Sequence, residues 1–453
     1  MMLNIRDFYQ RVNPSQTLDV SKAADRTLYI DFSSVRGGEI IADLRDKIAF
    51  FSPDDPTCML FTGHIGCGKS TELLRLKQEL EGEGFHVVYF ESSEDLDMAD
   101  VDIGDVLLAI ARRVGESIEA LKLEQPRTFR DLLQKAGQLM NTEVELGAEL
   151  DMTVPGVGQV GFNLDDGLSL AVGIGKITAK AKNDSILRDR LNQFLGPQKT
   201  RLLEAINREL LEPAIAQLKQ QGRRGLVVIM DNLDRVDNRP KAHGRSQQEY
   251  LFIDQSDCFR GLRCHTIYTM PLALKFSSEY GHLTQRYPDD PQVLSMVPVQ
   301  RPDGSECAEG MALLRQMVLA RALPDCPEAE RLAAVPELFD PPAALDRLCR
   351  VSGGHVRDLL RLLSAWIQKS RRQLPLTGAT LDQVIRERCN EMSLQISDPE
   401  WALLQQVRDR KRVGGDEGYK TLIHSRLVFE YRDQGLSWFD VNPLLLDAKD
   451  LSP

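Results

Sequence analysis

Residues 63–70 read Gly63-His64-Ile65-Gly66-Cys67-Gly68-Lys69-Ser70, a complete G-x-x-x-x-G-K-S, followed by Thr71. Glycines at these positions let successive backbone N–H groups turn inward and cradle an anion. A helix starting at Lys69 adds the positive end of its dipole. In such a loop the lysine reaches the β- and γ-phosphates of a nucleoside triphosphate and the serine hydroxyl ligates Mg²⁺, with Thr71 beside the α-phosphate. The second candidate lies in GLVVIMDNLDR (225–235), where an apolar run ends in Asp231, Asn232, Leu233 and Asp234. A carboxylate at a strand end beside a phosphate loop is where magnesium coordination needs it, so Asp231 is the metal-ligand candidate. A turn capping the next helix is the plainer reading of the same residues.

These groups act only if regular elements hold them. TCMLFT (57–62) predicts a buried strand entering the loop, and Leu73, Leu74, Leu76 and Leu80 predict an amphipathic helix leaving it. HVVYFES (86–92), GLVVIMD (225–231), CHTIYT (264–269) and QVLSMVPV (292–299) are further β-rich runs. Strands alternating with helices predict a parallel sheet covered on both faces, a three-layer α/β core. Upstream lie a short helix and polar linker, an extended LYIDF (28–32), and a helix with Ile40, Ile41, Leu44 and Ile48 on one face.

An insertion of about 124–200 interrupts the core, in a gap that holds helical stretches at 104–140 and 185–221. Its Gly/Val-rich piece, 144–180, alternates between turn signals and predicts a β-hairpin or meander. A ribbon for oligomerisation or partner docking is the second reading. From 301 the pattern is helical, with a break at Ser352-Gly353-Gly354. After 392 come a helix near 401–407, a further helix, and two β-runs (427–431 and 436–441) around Asp433-Gln434-Gly435. The expected division is therefore 1–56 N-terminal helix and linker, 57–300 core, 301–392 helical unit and 393–453 tail.

The 453 residues leave room for roughly two to four domains. A hydrophobic content of 42% with 27% charged residues belongs to a folded globular chain. Lys and Arg number 56 against 67 Asp and Glu, a net charge of −11, which argues against a chain-wide nucleic-acid surface. No run approaches the roughly 18 apolar residues of a membrane span, and the N-terminus lacks the apolar stretch of a signal peptide. Eight cysteines without a Cys-x-x-Cys pair predict reduced, buried thiols in a cytoplasmic protein, and the histidines show no metal-ligand spacing.

Asp-x-x-Asp after an apolar strand resembles the Walker B motif of NACHT and KAP ATPases, in the STAND branch of the AAA+/STAND P-loop class. That resemblance implies that Asp234 orients the attacking water. The usual AAA+ acid directly after Asp231 is replaced here by Asn232, and Arg235 departs from the second acid of NACHT domains while resembling KAP proteins better. Ser352-Gly353-Gly354-His355-Val356-Arg357-Asp358-Leu359-Leu360 is similar to the sensor 2 helix of origin-recognition-type AAA+ ATPases and their STAND relatives. It implies a helical lid whose Arg357 reaches the γ-phosphate. The same resemblance implies Thr269 as sensor 1 and Arg286 as an arginine finger given in trans, with Arg260 and Arg263 as rivals. It also implies an adenine-contacting linker at 31–37.

The tail is similar to a winged helix. Residues 393–453 carry eight Lys or Arg against ten Asp or Glu, although Arg408, Arg410, Lys411 and Arg412 cluster near Trp401. A protein-facing or autoinhibitory module is the reading this balance favours, with DNA contact as the alternative. The whole resemblance implies an ATP- and Mg²⁺-dependent ATPase that turns over slowly. It would act as a nucleotide-gated oligomerisation switch in bacterial-type defence or signalling, forming homo-oligomers and acting through a separate effector protein. A DNA loader or remodelling ATPase is the second reading, and an ATP-binding scaffold with negligible hydrolysis, suggested by Asn232, the third. The chain lacks a guanine-reading N-K-x-D, which favours ATP over GTP.

Overall fold

The computed structural model describes residues 4–119, 128, 131–137, 170–241, 244–433, 435–446 and 448. Strands β1 (Cys58–Gly63), β2 (His86–Glu91), β3 (Leu226–Asp231), β4 (His265–Met270) and β5 (Gln292–Leu294) form one sheet, ordered β2–β3–β4–β1–β5. Every neighbouring pair is parallel. Successive side chains of a strand face opposite ways, and both faces are apolar here. Cys58, Leu60, Val228 and Met230 join one core with the helix Ile103–Ser117 and the helices of 185–220. Met59, Phe61, Val227 and Ile229 join the other with the helices Ile40–Asp46 and Lys69–Gly82. The core is therefore a three-layer α/β sandwich. Because β4 separates β1 from β3, the loops leaving those two strands diverge, and a crevice opens at the carboxyl ends.

Three local expectations give way. β5 ends at Leu294, since the chain then turns toward other partners: Ser295 Oγ donates to Arg36 O and Met296 N to Glu430 O. Residues 28–32 join no sheet; Tyr29 reaches Glu72 and Arg75 instead, and Asp31 caps a short turn at Ser33 N. Of the supposed β-rich piece, 144–169 lies outside the described residues, and 170–180 is helical, within Leu170–Asn183. Ala171, Ile174, Ile177, Thr178 and Ala181 recur there at helical spacing and are buried. The apolar periodicity of 3.6, not the scattered alternation, decided that segment.

Helices Ala308–Ala322, Ala343–Val351, Val356–Lys369 and Gly378–Ser393 surround a separate core centred on Trp366. Two short parallel strands, β6 (Phe339–Asp340) and β7 (Leu376–Thr377), tie its loops. Phe8 and Val12 plug into this core, so the N-terminal helix Ile5–Arg11 packs with the lid. The tail has helices Asp398–Arg410 and Glu417–His424, then the antiparallel strands β8 (Val428–Asp433) and β9 (Leu436–Val441). Val428, Phe439 and Val441 face the tail's own helices, whereas Phe429, Tyr431 and Trp438 enter the α/β core beside Cys67 and Met296. Among the described residues no helix is long and apolar enough to cross a membrane.

Candidate functional site

β1 delivers the glycine loop to the crevice, and the helix Lys69–Gly82 starts there without a side-chain cap on its first turn. Its first N–H groups are therefore open to an anion. Gly66 has φ of 95°, and a Cβ there would stand 2.7 Å from the His355 ring, so only glycine lets lid and loop meet this closely. Lys69 is 7% exposed and donates to Gly63 O at 2.8 Å and His64 O at 3.0 Å. Its Nζ also lies 3.0 Å from Asp234 Oδ2. Burial alone would lower the Lys69 pKa, but Asp234, then Cys67 and Asp231, outweigh it and leave the ammonium raised.

The β3 end presents the acids. Asp231 accepts from Tyr89 OH at 2.8 Å and from Asn232 N at 2.6 Å, and Ser70 also bonds it. Desolvation, with the Asp234 charge next, raises its carboxyl pKa despite those donors. Asn232 takes φ of 61°, folding the chain sharply, and its amide donates to Glu91 Oε2 at 2.7 Å. Thr269 Oγ1 accepts Leu233 N at 2.9 Å and Asp234 N at 3.4 Å. This fully buried hydroxyl holds the turn that carries Asp234 and does not line the crevice itself.

The lid closes the third side. His355 caps its helix by accepting Asp358 N at 3.0 Å, and its other ring nitrogen meets Ile65 O at 2.9 Å. Arg357 N donates to Gly66 O at 3.2 Å, and its side chain lines the cleft with Lys69, Ser70, Thr71, Asp234 and Arg235. The Arg357 guanidinium makes no hydrogen bond or ion pair among the described residues; burial, then Arg235, Arg361 and Arg426, lowers its pKa.

A Mg²⁺ ion can be tested against these groups. Asp234 Oδ1 is buried with no partner, and two desolvated carboxylates share the site with a single paired ammonium. That surplus of acceptors fits a cation, and Asp231 with Ser70 would hold it. Among the described residues no group of three or more His, Cys, Asp or Glu could cage a metal alone. The ion would therefore share its shell with phosphate oxygens.

The structure gathers Ile65, Gly66, Gly68, Lys69, Ser70, Thr71, Asp234 and Arg357 around one cleft, with Asp231 buried at the end of β3 and held by Tyr89. His64 and Cys67 are loop residues whose side chains turn away from it. The His64 Nε2 accepts Glu430 N at 2.9 Å, and Cys67 Sγ faces Leu294 O at 3.7 Å. The 31–37 segment does not line the cleft either: Arg36 braces the loop from behind, donating to Cys67 O at 2.9 Å. Pro14, Gln16 and Thr17 line it instead. Arg286 ends the helix Tyr280–Arg286, exposed and away from the cleft, whereas Arg260 pairs with Asp257 and Arg263 with Glu204 and Glu212.

Sequence reasoning missed Tyr89, Glu91, His355 and Phe429. The first two were findable: the β2–β3 register sets Glu91 opposite Asp231 and Tyr89 opposite Ile229. The His355 ring stacks on Phe429 at 5.6 Å, and His64 meets the same ring edge-on at 5.6 Å. Neither contact leaves a local signal in the sequence.

No protein-family model matches the chain, and no curated protein does. Among solved structures it is similar to the Aeropyrum pernix ORC2 protein in ADPNP–ADP complexes, at TM-score 0.40 and 12% identity over 89% of this chain and 90% of that one. It is similar to the A. pernix ORC1 protein in complex with DNA at TM-score 0.38 and 13% identity, over 97% and 96% of the two chains. The Walker-type ATPase PABY2304 of Pyrococcus abyssi is a third, at TM-score 0.37 and 12% identity over 92% and 98%.

Proposed function

We propose that this chain is an ATP-binding, Mg²⁺-dependent ATPase that works as a nucleotide-gated switch. The observation that carries this reading is the Lys69–Asp234 pair, buried in a glycine-lined cleft whose loop is bonded to the lid. The triphosphate would lie along the N–H groups of Gly66 and of 68–70, the Cys67 N–H being held by His64 O, and Lys69 would exchange Asp234 for phosphate oxygens. Pro14, Val356 and Leu360 give the cleft an apolar wall for a base. Mg²⁺, held by Ser70 and Asp231, supplies charge neutralisation on the phosphates.

Asp234, released from Lys69, would orient a water for in-line attack on the γ-phosphorus. The bond to the β–γ bridging oxygen breaks as the new P–O bond forms, giving ADP and inorganic phosphate. Arg357 would meet the γ-phosphate from the lid, and Arg286 of a neighbouring copy remains the candidate finger in trans. Assembly-dependent, slow turnover suits a site whose usual second acid is Asn232, bonded instead to Glu91. Loss of the γ-phosphate would release the lid, whose contacts run from Gly66 and Ile65 to the C-terminal hairpin through Phe429.

Three observations favour a protein-facing tail over a DNA reader. Phe429, Tyr431 and Trp438 of the hairpin are buried in the core, Trp401 is buried in the tail, and Lys411 is paired with Asp440 at 2.7 Å. The switch would therefore act on a separate effector protein.

Mass photometry of wild type, Lys69→Ala and Asp234→Ala with ATP, with and without duplex DNA, tests this reading alongside phosphate release. Expected are ATP-dependent assemblies lost in Lys69→Ala and kept in Asp234→Ala, with hydrolysis lost in both. A monomer that binds ATP but neither assembles nor hydrolyses it would leave the scaffold reading, and DNA-stimulated hydrolysis with steep salt dependence would favour the loader.

A further inference from the structure

We infer that Arg235, on the turn that carries the acids, is a terminal-phosphate contact supplied in cis, acting with Arg357 in the same cleft; this rests on the ATP-binding reading above. The turn Leu233–Arg235 is pinned by Thr269, so Asp234 goes inward to Lys69 while the next residue emerges into the same cleft. Arg235 lines that cleft, is exposed, and its side chain makes no hydrogen bond or ion pair among the described residues.

It lines one cleft with Arg357, which likewise lacks an ion pair, and the nearby Arg361 and Arg426 share the single carboxylate of Asp358. Like charges held this close repel unless an anion lies between them. By its place in the loop Lys69 would meet the β- and γ-phosphates, and the two arginines line the same cleft as Lys69 and Asp234. A diphosphate would end short of the two arginines, whereas a triphosphate would extend to them. The guanidinium fork suits the planar, bidentate contact that phosphate oxygens offer. Arg235 then confers discrimination of ATP from ADP within one chain, without a neighbour.

Binding of ATP and ADP, each with Mg²⁺, to wild type, Arg235→Ala, Arg235→Lys and Lys69→Ala tests this at concentrations where the protein is monomeric. Expected for Arg235→Ala is an ATP affinity lower by about tenfold or more, with ADP affinity within about twofold. Arg235→Lys should fall between, since it keeps the charge and loses the fork. Equal losses for both nucleotides, or no loss for either, would overturn the assignment. A Lys69→Ala protein that still binds both nucleotides like wild type would instead overturn the underlying ATP-binding reading.

Discussion

The phosphate loop has two faces built on different physics. Toward the cleft stand Lys69, Asp231 and Asp234, charges held in mutual compensation with one carboxylate oxygen left over. Toward the back stand the His64 ring, the Cys67 thiol and Phe429, neutral groups sealed by aromatic packing and single hydrogen bonds. Charges at the front can be rearranged by a charged ligand. The apolar back is closely packed, and a displacement of the loop would carry such groups with it rather than deform them. One eight-residue loop thus joins the ligand to the C-terminal hairpin.

Breaking the front face should cost most. Removing only Lys69 leaves Asp231 and Asp234 buried without their cation, and loss of one partner of such a pair costs about 3–5 kcal/mol. Lys69→Met is therefore expected to unfold at a clearly lower denaturant concentration than wild type. Adding Asp234→Leu should recover much of that loss without restoring nucleotide binding. Equilibrium urea unfolding of the two single variants and the double variant checks it, and additive losses would show that the pair is not coupled.

The back face should respond to acid instead. His64 accepts a backbone N–H, so its Nε2 has no room for a second proton, and burial, then the charge of His355, holds its pKa well below the usual 6.5. Burial likewise lowers His355, although Asp358 opposes the shift. Between the folded value and about 6.5, the unfolded chain binds more protons than the folded one. Stability is then fully present above about pH 6.5 and lost as pH falls below it, by about 1.4 kcal/mol per pH unit for each such histidine. Trp438 lies in the same cluster, so its fluorescence during urea titrations at pH 7.5 and 5.5 reports the loss. His64→Gln, which keeps an acceptor without titrating, should flatten the slope by one histidine's share. An unchanged slope would remove His64 from the account.

The two faces also differ in how legible they were. The front face is local: apolar strand, glycines, lysine and terminal acids lie within short windows, so Lys69, Ser70 and Asp231 could be named as candidates from residue types, and Asp234 from the resemblance of its Asp-x-x-Asp. The sheet and lid followed from strand-like runs and from the Ser352-Gly353-Gly354 break. Gly354, at φ of 72°, is so close to Val297 that a Cβ would fall 1.7 Å from its carbonyl oxygen. The back face is assembled from residues hundreds of positions apart, as in the bond from Glu430 N to His64. No spacing rule links such residues. Non-locality also shows at 31–37, where Arg36 serves the loop's rear while Pro14, Gln16 and Thr17 line the cleft.

The smallest effect expected is also the one that separates binding from chemistry. Thr269 touches neither the cleft nor any group of the phosphate loop; its hydroxyl only receives Leu233 N and Asp234 N and leans on Met230 O at 3.5 Å. Thr269→Val keeps the shape and strands a buried N–H, a cost of about 1 kcal/mol. The Lys69 cradle on β1 is untouched, so ATP affinity should stay within about twofold. Asp234, however, loses the anchor of its turn, and if it orients the attacking water as proposed, its misplacement slows the chemical step more than binding. Phosphate release at saturating ATP should therefore fall by about tenfold or more, and Thr269→Ser should restore most of it, since the hydroxyl rather than the methyl does the holding. If instead Thr269→Val weakened ATP binding and left the saturated rate alone, the threonine would belong to the cradle, and the division between a binding strand and a chemical turn would fail at this residue.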